Sequence, residues 1–171
     1  VTAFVTAALA HEHDRYGFQS GEDALDRYLR ELAFQDIKRR VAGCFVALDE
    51  AGAIAGFYTL AATNIPLNAL PADVATRLPR YPVVPAMLMG RLAVAAKYQK
   101  QGLGRALVAD AAMRTDGFKI GAFALVVDAK DAKAIAFYKR NGFTKIPDER
   151  RRLFLPIATA LQASKNSEGT E

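Results

Sequence analysis

Within fifteen residues this chain passes from an apolar stretch, Arg91-Leu92-Ala93-Val94, through Gln99-Lys100-Gln101-Gly102-Leu103-Gly104-Arg105 into an amphipathic run. That order predicts a strand, a glycine turn and the first turn of a helix. The opening N–H groups of a helix have no carbonyl partner of their own, and the aligned peptide dipoles leave partial positive charge there. With no side chain at Gly102 or Gly104 a diphosphate can approach the main chain closely, so an anionic cofactor is expected. A glycine-rich turn without a ligand is the other reading. A dinucleotide fingerprint needs a further glycine where this chain has Leu107, and no Gly-Lys-Ser or Gly-Lys-Thr supplies the lysine and hydroxyl of a nucleotide-triphosphate loop.

A second motif lies downstream, Asp131-Ala132-Lys133-Ala134-Ile135-Ala136-Phe137-Tyr138-Lys139-Arg140-Asn141-Gly142-Phe143. It predicts a helix that starts near Asp131, stops at Asn141-Gly142 and returns into a strand at Phe143. The Gln-x-x-Gly-x-Gly turn resembles the acyl-coenzyme A signature of GCN5-related N-acetyltransferases. The Ala-x-x-Phe-Tyr-x-x-x-Gly-Phe run resembles that family's later helix, and the two motifs stand in the family's order.

The 171 residues are 51% hydrophobic, with no repeat or break in composition, which fits one domain over residues 1–160 and a polar tail over 161–171. Cys44 is the only cysteine, so a disulfide framework is excluded and a reducing, cytoplasmic setting is expected. Its place in the apolar run from Val41 to Leu48 marks a buried thiol rather than a nucleophile. The N-terminal segment has no basic start of a secretory signal. The uncharged span from Ala51 to Ala72 is interrupted by Asn64, Pro66, Asn68 and Pro71, so it reads as strand followed by loop and no membrane contact is expected.

Leu25, Tyr28, Leu29, Leu32 and Ala33 recur at helical spacing, predicting a helix over 22–35 with Ser20 as its cap. Strands are expected at Cys44 to Leu48 and Ile54 to Ala61, joined as a hairpin. Five of the seven prolines fall between Asn64 and Pro85, which suits a long excursion with at most a short helix at Ala72 to Leu78. Strand, helix, strand, helix, strand follow: Met87 to Val94, Leu103 to Arg114, Phe123 to Val127, the Asp131 helix and Phe143 to Ile146, with Arg152 to Leu155 closing the sheet. The fold class is α/β with mixed strand directions. The family resemblance implies a twisted sheet whose central parallel strands splay apart, flanked by helices, with acetyl-coenzyme A in the cleft.

That resemblance also implies roles. Leu92, Ala93, Val94, Gln99, Lys100, Gln101, Gly102, Leu103, Gly104, Arg105, Asp131 and Phe137 are the expected coenzyme contacts. A backbone N–H near Leu92 to Val94 is placed to stabilise the oxyanion formed when an amine attacks the thioester. Tyr138 is the expected general acid for the leaving thiolate, since a phenol with a pKa of ~10 stays protonated at neutral pH; a packing role against the coenzyme is the alternative. No metal is assigned. No general base is evident, with His11, His13 and Glu22 as candidates. This leans toward an α-amine acceptor, which is partly neutral near pH ~8, rather than a lysine.

The net charge is +5, with a pI near 9.4. Basic residues gather at Lys38-Arg39-Arg40, Arg77 and Arg80, Lys97 and Lys100, Lys130 and Lys133, Lys139-Arg140 and Arg150-Arg151-Arg152. They suit a polyanion as well as they suit a solvated face. Phe18-Gln19-Ser20-Gly21, Leu25-Asp26, Tyr28-Leu29, Phe57-Tyr58-Thr59-Leu60, Gly90-Arg91-Leu92-Ala93-Val94 and Leu153-Phe154-Leu155-Pro156 are similar to TacT-type toxins, acetyltransferases that modify the α-amine of aminoacyl-tRNA. Ser20 and Tyr28 depart from the cysteine and tryptophan frequent there. The resemblance implies an aminoacyl-tRNA substrate, candidate contacts at Lys38, Arg39, Arg40, Arg77, Arg80 and Arg91, a ribbon-helix-helix antitoxin partner and a homodimer. An acetyltransferase acting on protein N-termini, lysines or a small amine is the alternative, and a non-catalytic coenzyme-binding regulator is a third.

Overall fold

The computed structural model describes residues 3–169. Seven strands form one mixed sheet in the order β1-β2-β3-β4-β5-β7-β6. They are β1 Val5–Ala8, β2 Gly43–Leu48, β3 Ile54–Pro66, β4 Val83–Val94, β5 Ala124–Asp128, β6 Thr144–Lys145 and β7 Arg152–Pro156. The helices are α1 Asp23–Arg27, α2 Ala33–Lys38, α3 Ala72–Ala75, α4 Leu103–Gly117, α5 Ala132–Arg140 and α6 Ile157–Glu168. The expected α/β class with mixed strand directions is therefore present. Two compact units form along the chain, one from the residues up to Ala61 with Met89–Ala111, the other from Ala62–Leu88 with the residues from Ala112 onward.

In the first unit β2 pairs antiparallel with both β1 and β3. Its core gathers Leu9, Phe18, Tyr28, Leu29, Ala33, Cys44, Val46, Ile54, Phe57, Ala93 and Ala95. Burying a large apolar side chain contributes about 1.5–3 kcal/mol, so this cluster holds the N-terminal helices on the sheet. Gly56 is required for close approach: a Cβ there would lie 3.0 Å from the Ala93 carbonyl oxygen and 2.9 Å from Leu107 Cδ1. Beneath the same strand Tyr58 donates its hydroxyl proton to Asp110, which also accepts from Thr6.

The predicted helix over 22–35 is real but not uniform. A π-helical turn, Tyr28–Leu32, separates α1 from α2, and helical backbone runs on to Lys38. Tyr28 and Leu29 enter the turn buried, and the wide turn brings Ala33 back to the core while Leu32 is left 39% exposed. Ser20 does not cap this helix. Glu22 occupies the cap position, Ser20 Oγ donates to Asp26 Oδ1 at 2.6 Å, and the Glu22 N–H donates to Ser20 Oγ at 3.1 Å.

In the second unit β5 pairs parallel with β4 over Ala86↔Ala124, Met87↔Leu125 and Leu88↔Val126, and antiparallel with β7 over five positions from Ala124↔Pro156 to Asp128↔Arg152. Ala124 to Val127 are fully buried, which explains a run apolar on both faces. Ile65, Leu70, Val84, Ala86, Ala124, Val126, Ile146 and Phe154 form the core, with Val74 and Leu78 packed against it. The proline-rich excursion is shorter than expected. β3 continues through Asn64 to Pro66 and β4 begins at Val83, leaving 67–82 between them, closed by the Leu67 N–H donating to the Pro82 carbonyl at 3.0 Å. Pro66 is tolerated because it ends its strand. The uncharged Ala51 to Ala72 span is thus mostly strand, and among the described residues no helix is long and apolar enough to cross a membrane. What reads as a polar tail from Gln162 is largely helix: α6 buries Ile157 and Ala160 and extends to Glu168.

Candidate active site

Past the end of β4, Ala96–Tyr98 makes a 3-10 turn, and the chain then bends twice through the left-handed region, at Lys100 with φ +62° and Gly102 with φ +85°. Only glycine takes the second bend without strain. A Cβ at Gly102 would meet nothing within 4 Å, so the space in front of the turn is open. The ladder of α4 starts with the Ala106 N–H donating to the Gly102 carbonyl at 3.1 Å. The N–H groups of Leu103, Gly104 and Arg105 precede that ladder, and Lys100 and Arg105 stand exposed beside them. This is a diphosphate-sized set of donors at the positive end of a fifteen-residue helix.

Gln99 acts differently from its neighbours. Its Nε2 donates to the Val94 carbonyl at 3.0 Å and to the Ser20 carbonyl at 2.7 Å. The side-chain amide thus ties the turn to the end of β4 and to the N-terminal segment, a positioning role. Gln101 is likewise engaged, donating to the Lys97 carbonyl at 3.1 Å. Tyr98 anchors the turn by donating to Asp49 Oδ2 at 2.8 Å, which holds the Asp49 carboxyl below its usual range.

On the other unit, α5 is capped by Asp131, whose Oδ1 accepts from the Ala134 N–H at 2.8 Å. This places Asp131 in a structural role at the helix start. At the far end Asn141 Nδ2 donates to the Phe137 carbonyl, Gly142 turns with φ +91°, and the Phe143 N–H donates to the Tyr138 carbonyl at 3.0 Å. The Tyr138 ring meets Phe137 and Phe143 edge to face, each at 5.2 Å between centroids. Burial pushes the phenol up to about 12, so it stays protonated. Among the described residues its hydroxyl has no hydrogen-bond partner, and it is not among the fully enclosed polar atoms. The phenol, held by aromatic packing, keeps its proton at neutral pH, and its uncommitted hydroxyl is available to an incoming group, although burial makes it a weaker acid than a free tyrosine.

Arg91 on β4 lies face-on to Tyr28, its guanidinium carbon 3.6 Å from the ring centroid, and its backbone N–H donates to Thr59 Oγ1 at 3.0 Å. Tyr28 in turn donates to Asp36 Oδ2 at 2.8 Å. No carboxylate pairs with the Arg91 guanidinium among the described residues. Its edge donors are therefore available to an anion.

The domain model for the acetyltransferase (GNAT) domain matches residues 40–145, which include the turn, Arg91 and Tyr138. The chain is a GNAT acetyltransferase. A tRNA-acetylating toxin of Mycobacterium tuberculosis is 36% identical over 149 residues, covering 86% of this chain and 88% of that protein. Among solved structures, a mutant of KacT is 28% identical with a TM-score of 0.84, covering 94% of this chain and 98% of its own. AtaT complexed with acetyl-methionyl-tRNAfMet is 26% identical with a TM-score of 0.83, covering 98% and 100%.

Within this GNAT chain the expected coenzyme contacts Leu92, Ala93, Val94 and Gln99 to Arg105 fall on one continuous strand, turn and helix start in the first unit. Asp131, Phe137 and Tyr138 share α5 and its cap in the second. Lys38, Arg39 and Arg40 are exposed where α2 ends, and Arg77 and Arg80 are exposed in the 67–82 segment. Arg152 is not free for a polyanion: it pairs with Asp128 through two bonds of 2.8 and 2.9 Å. Of the candidate bases, His13 accepts from the Ala10 N–H through Nδ1, and His11 stacks on Phe34 at 3.9 Å. The Tyr28 platform under Arg91 escaped sequence reasoning; an aromatic residue at a buried helical position gave its burial but not its partner.

Proposed function

We propose that this acetyltransferase moves the acetyl group of acetyl-coenzyme A to the α-amine of aminoacyl-tRNA and so blocks translation, acting in the cytoplasm as a homodimer held in check by a ribbon-helix-helix antitoxin. The similarity to the tRNA-acetylating toxin over 86% of the chain supports the substrate class. The coenzyme fits the residues present: an open turn with positive φ at Gly102, followed by three helix-opening N–H groups, suits its diphosphate.

When bound, the coenzyme supplies an acetyl thioester and a thiol leaving group. Leu103, Gly104 and Arg105 would hold the diphosphate through backbone N–H groups, with Lys100 and Arg105 adding positive charge. The main chain of β4 near Leu92 to Val94 would offer an N–H to the acetyl carbonyl oxygen, where negative charge grows as the amine adds. The new carbon–nitrogen bond would replace the carbon–sulfur bond, and Tyr138 would give its phenolic proton to the departing sulfur. The proton shed by the amine would restore the phenol, directly or through water. An α-amine, whose pKa of ~8 leaves part of it neutral without help, fits this scheme without calling on His13, whose Nδ1 accepts from the Ala10 N–H, or His11, which stacks on Phe34.

The protonated, uncommitted Tyr138 hydroxyl carries this reading. It is tested by incubating the protein with labelled acetyl-coenzyme A and a mixture of charged tRNAs, then digesting and identifying acetylated aminoacyl-adenosines by mass spectrometry. Label on aminoacyl-adenosine supports it; label confined to polypeptide or small amines overturns it.

A further inference from the structure

The 67–82 segment, with Pro66, borders an open cleft of about 670 Å³ whose lining includes Leu67, Asn68, Leu78, Arg80, Tyr81 and Pro82. No carboxylate lines it, and its one charged group is the exposed Arg80. Tyr81 is 70% exposed, whereas Tyr138, the other tyrosine of this unit, is 9% exposed. Beside the cleft, most of this amphipathic ring is open to a ligand, and tyrosines so placed are enriched at interfaces.

The walls are tied to the core. Prolines stand at both ends, the Leu67 N–H is bonded to the Pro82 carbonyl at 3.0 Å, and Leu70 is buried in the core against which Leu67, Val74 and Leu78 pack. A platform already ordered loses little entropy when a ligand arrives. The chemistry around the ring is that of a nucleotide site. A base stacks on a tyrosine face whatever its identity, an asparagine amide both donates to and accepts from a base edge, and an arginine pairs with phosphate. Arg77, exposed just past the end of α3 with its Nε bonded to the Asp73 carbonyl at 3.0 Å, adds positive charge on the same segment.

We propose that Tyr81, with Arg80 and Asn68, forms a nucleobase-stacking subsite that receives an unpaired nucleotide of the RNA substrate. This rests on the aminoacyl-tRNA reading above and deepens it by assigning a determinant to an aromatic residue rather than to charge alone. Tyr81 touches the RNA and takes no part in the acetyl chemistry.

The test uses the full chain and three probes: fluorescently labelled uncharged tRNA for binding, aminoacyl-tRNA for acetyl transfer, and an amino-acid methyl ester as an amine without a nucleotide. Y81A should raise the tRNA dissociation constant and the KM for aminoacyl-tRNA at least fivefold, with kcat little changed, because stacking on one aromatic ring is worth about 1 kcal/mol or more. Y81W should retain wild-type values or better, and both variants should acetylate the methyl ester as wild type does. Unchanged tRNA binding in Y81A overturns the proposal, including the case where that variant instead loses a protein partner. An equal loss on the methyl ester also overturns it, by revealing a structural role. If the wild type binds tRNA through Tyr81 yet acetylates no aminoacyl-tRNA, the subsite stands and the substrate reading fails.

Discussion

The Arg91 guanidinium lies 3.6 Å over the ring of Tyr28, and Tyr28 passes its hydroxyl proton toward Asp36 in a 2.8 Å hydrogen bond. Burial, with that bond, holds the phenol well above the usual tyrosine range, so the ring presents a neutral face to the cation. The stack orients the guanidinium without spending its donors on a carboxylate.

Replacement of Tyr28 therefore separates packing from the hydroxyl. Tyr28→Ala should cost about 3–5 kcal/mol by opening a cavity in the first unit's core, and Tyr28→Phe about 1–2 kcal/mol through the lost bond to Asp36. Urea unfolding measures both. Equal losses in the two variants would show that the ring contributes no packing.

At the turn, Gly102→Ala should cost about 1–2 kcal/mol, the penalty for a side chain at φ +85°, although nothing within 4 Å obstructs the new methyl group. Its larger effect should fall on the coenzyme. If the turn holds the diphosphate as proposed, a methyl projecting into the open space before it should raise the KM for acetyl-coenzyme A about tenfold, measured by thiol release. An unchanged KM would remove the turn from coenzyme binding.

Tyr138→Phe should leave the melting temperature within a few degrees of wild type, because the hydroxyl has no hydrogen-bond partner to lose among the described residues. Removal of the proton donor should lower kcat about 10²- to 10⁴-fold with coenzyme affinity retained. Since burial pushes this phenol up to about 12, its deprotonation should produce no fall in kcat between pH 7 and 10. A variant with undiminished kcat would assign the ring to packing.

Stability should decline in alkali from a thiol. Burial raises Cys44 from 9.0 to about 12. Below the unfolded value both states hold the proton and stability is independent of pH. Above it the unfolded chain loses the proton first, so stability falls as pH rises toward the folded value, by up to about 1.4 kcal/mol per pH unit. Tyr138 adds to the same trend above pH ~10. Urea midpoints from pH 8 to 11 should fall in wild type and fall less in Cys44→Ala; identical slopes would contradict the burial argument.

Elements whose signal is local were readable in the sequence. The α4 face of Leu103, Leu107, Val108 and Ala111 is buried as its spacing predicts, and α5 begins at Asp131 and turns at Gly142 as its motif predicts. The strand β1 was not readable: Val5–Ala8 is four residues without alternation, and it exists through pairing with β2, some forty residues away. Two misses were avoidable. In the continuation of β3 the exposed Ala62, Asn64 and Pro66 alternate around the buried Ile65, a period of two that the proline obscured. In α6 the buried Ile157 and Ala160 stand three apart, a helical spacing inside a polar stretch.

The site divides along the same line. The expected roles of Gly102, Gly104 and Tyr138 each rest on one short segment of sequence. Gln99, an expected coenzyme contact, also binds two main-chain carbonyls through Nε2, and its link to Ser20, distant in sequence, is one that no local pattern encodes. The pairing of Arg152 with Asp128 follows from the β5 and β7 register, which no local pattern encodes.

Because Cys44 is the chain's sole thiol and is 3% exposed, the molecule carries its own timer for opening. A colourless disulfide reagent that turns yellow on exchange would react only when β2 swings clear of its neighbours. The slow development of that colour, followed with and without coenzyme, would report how firmly the first unit is clamped, with no label attached.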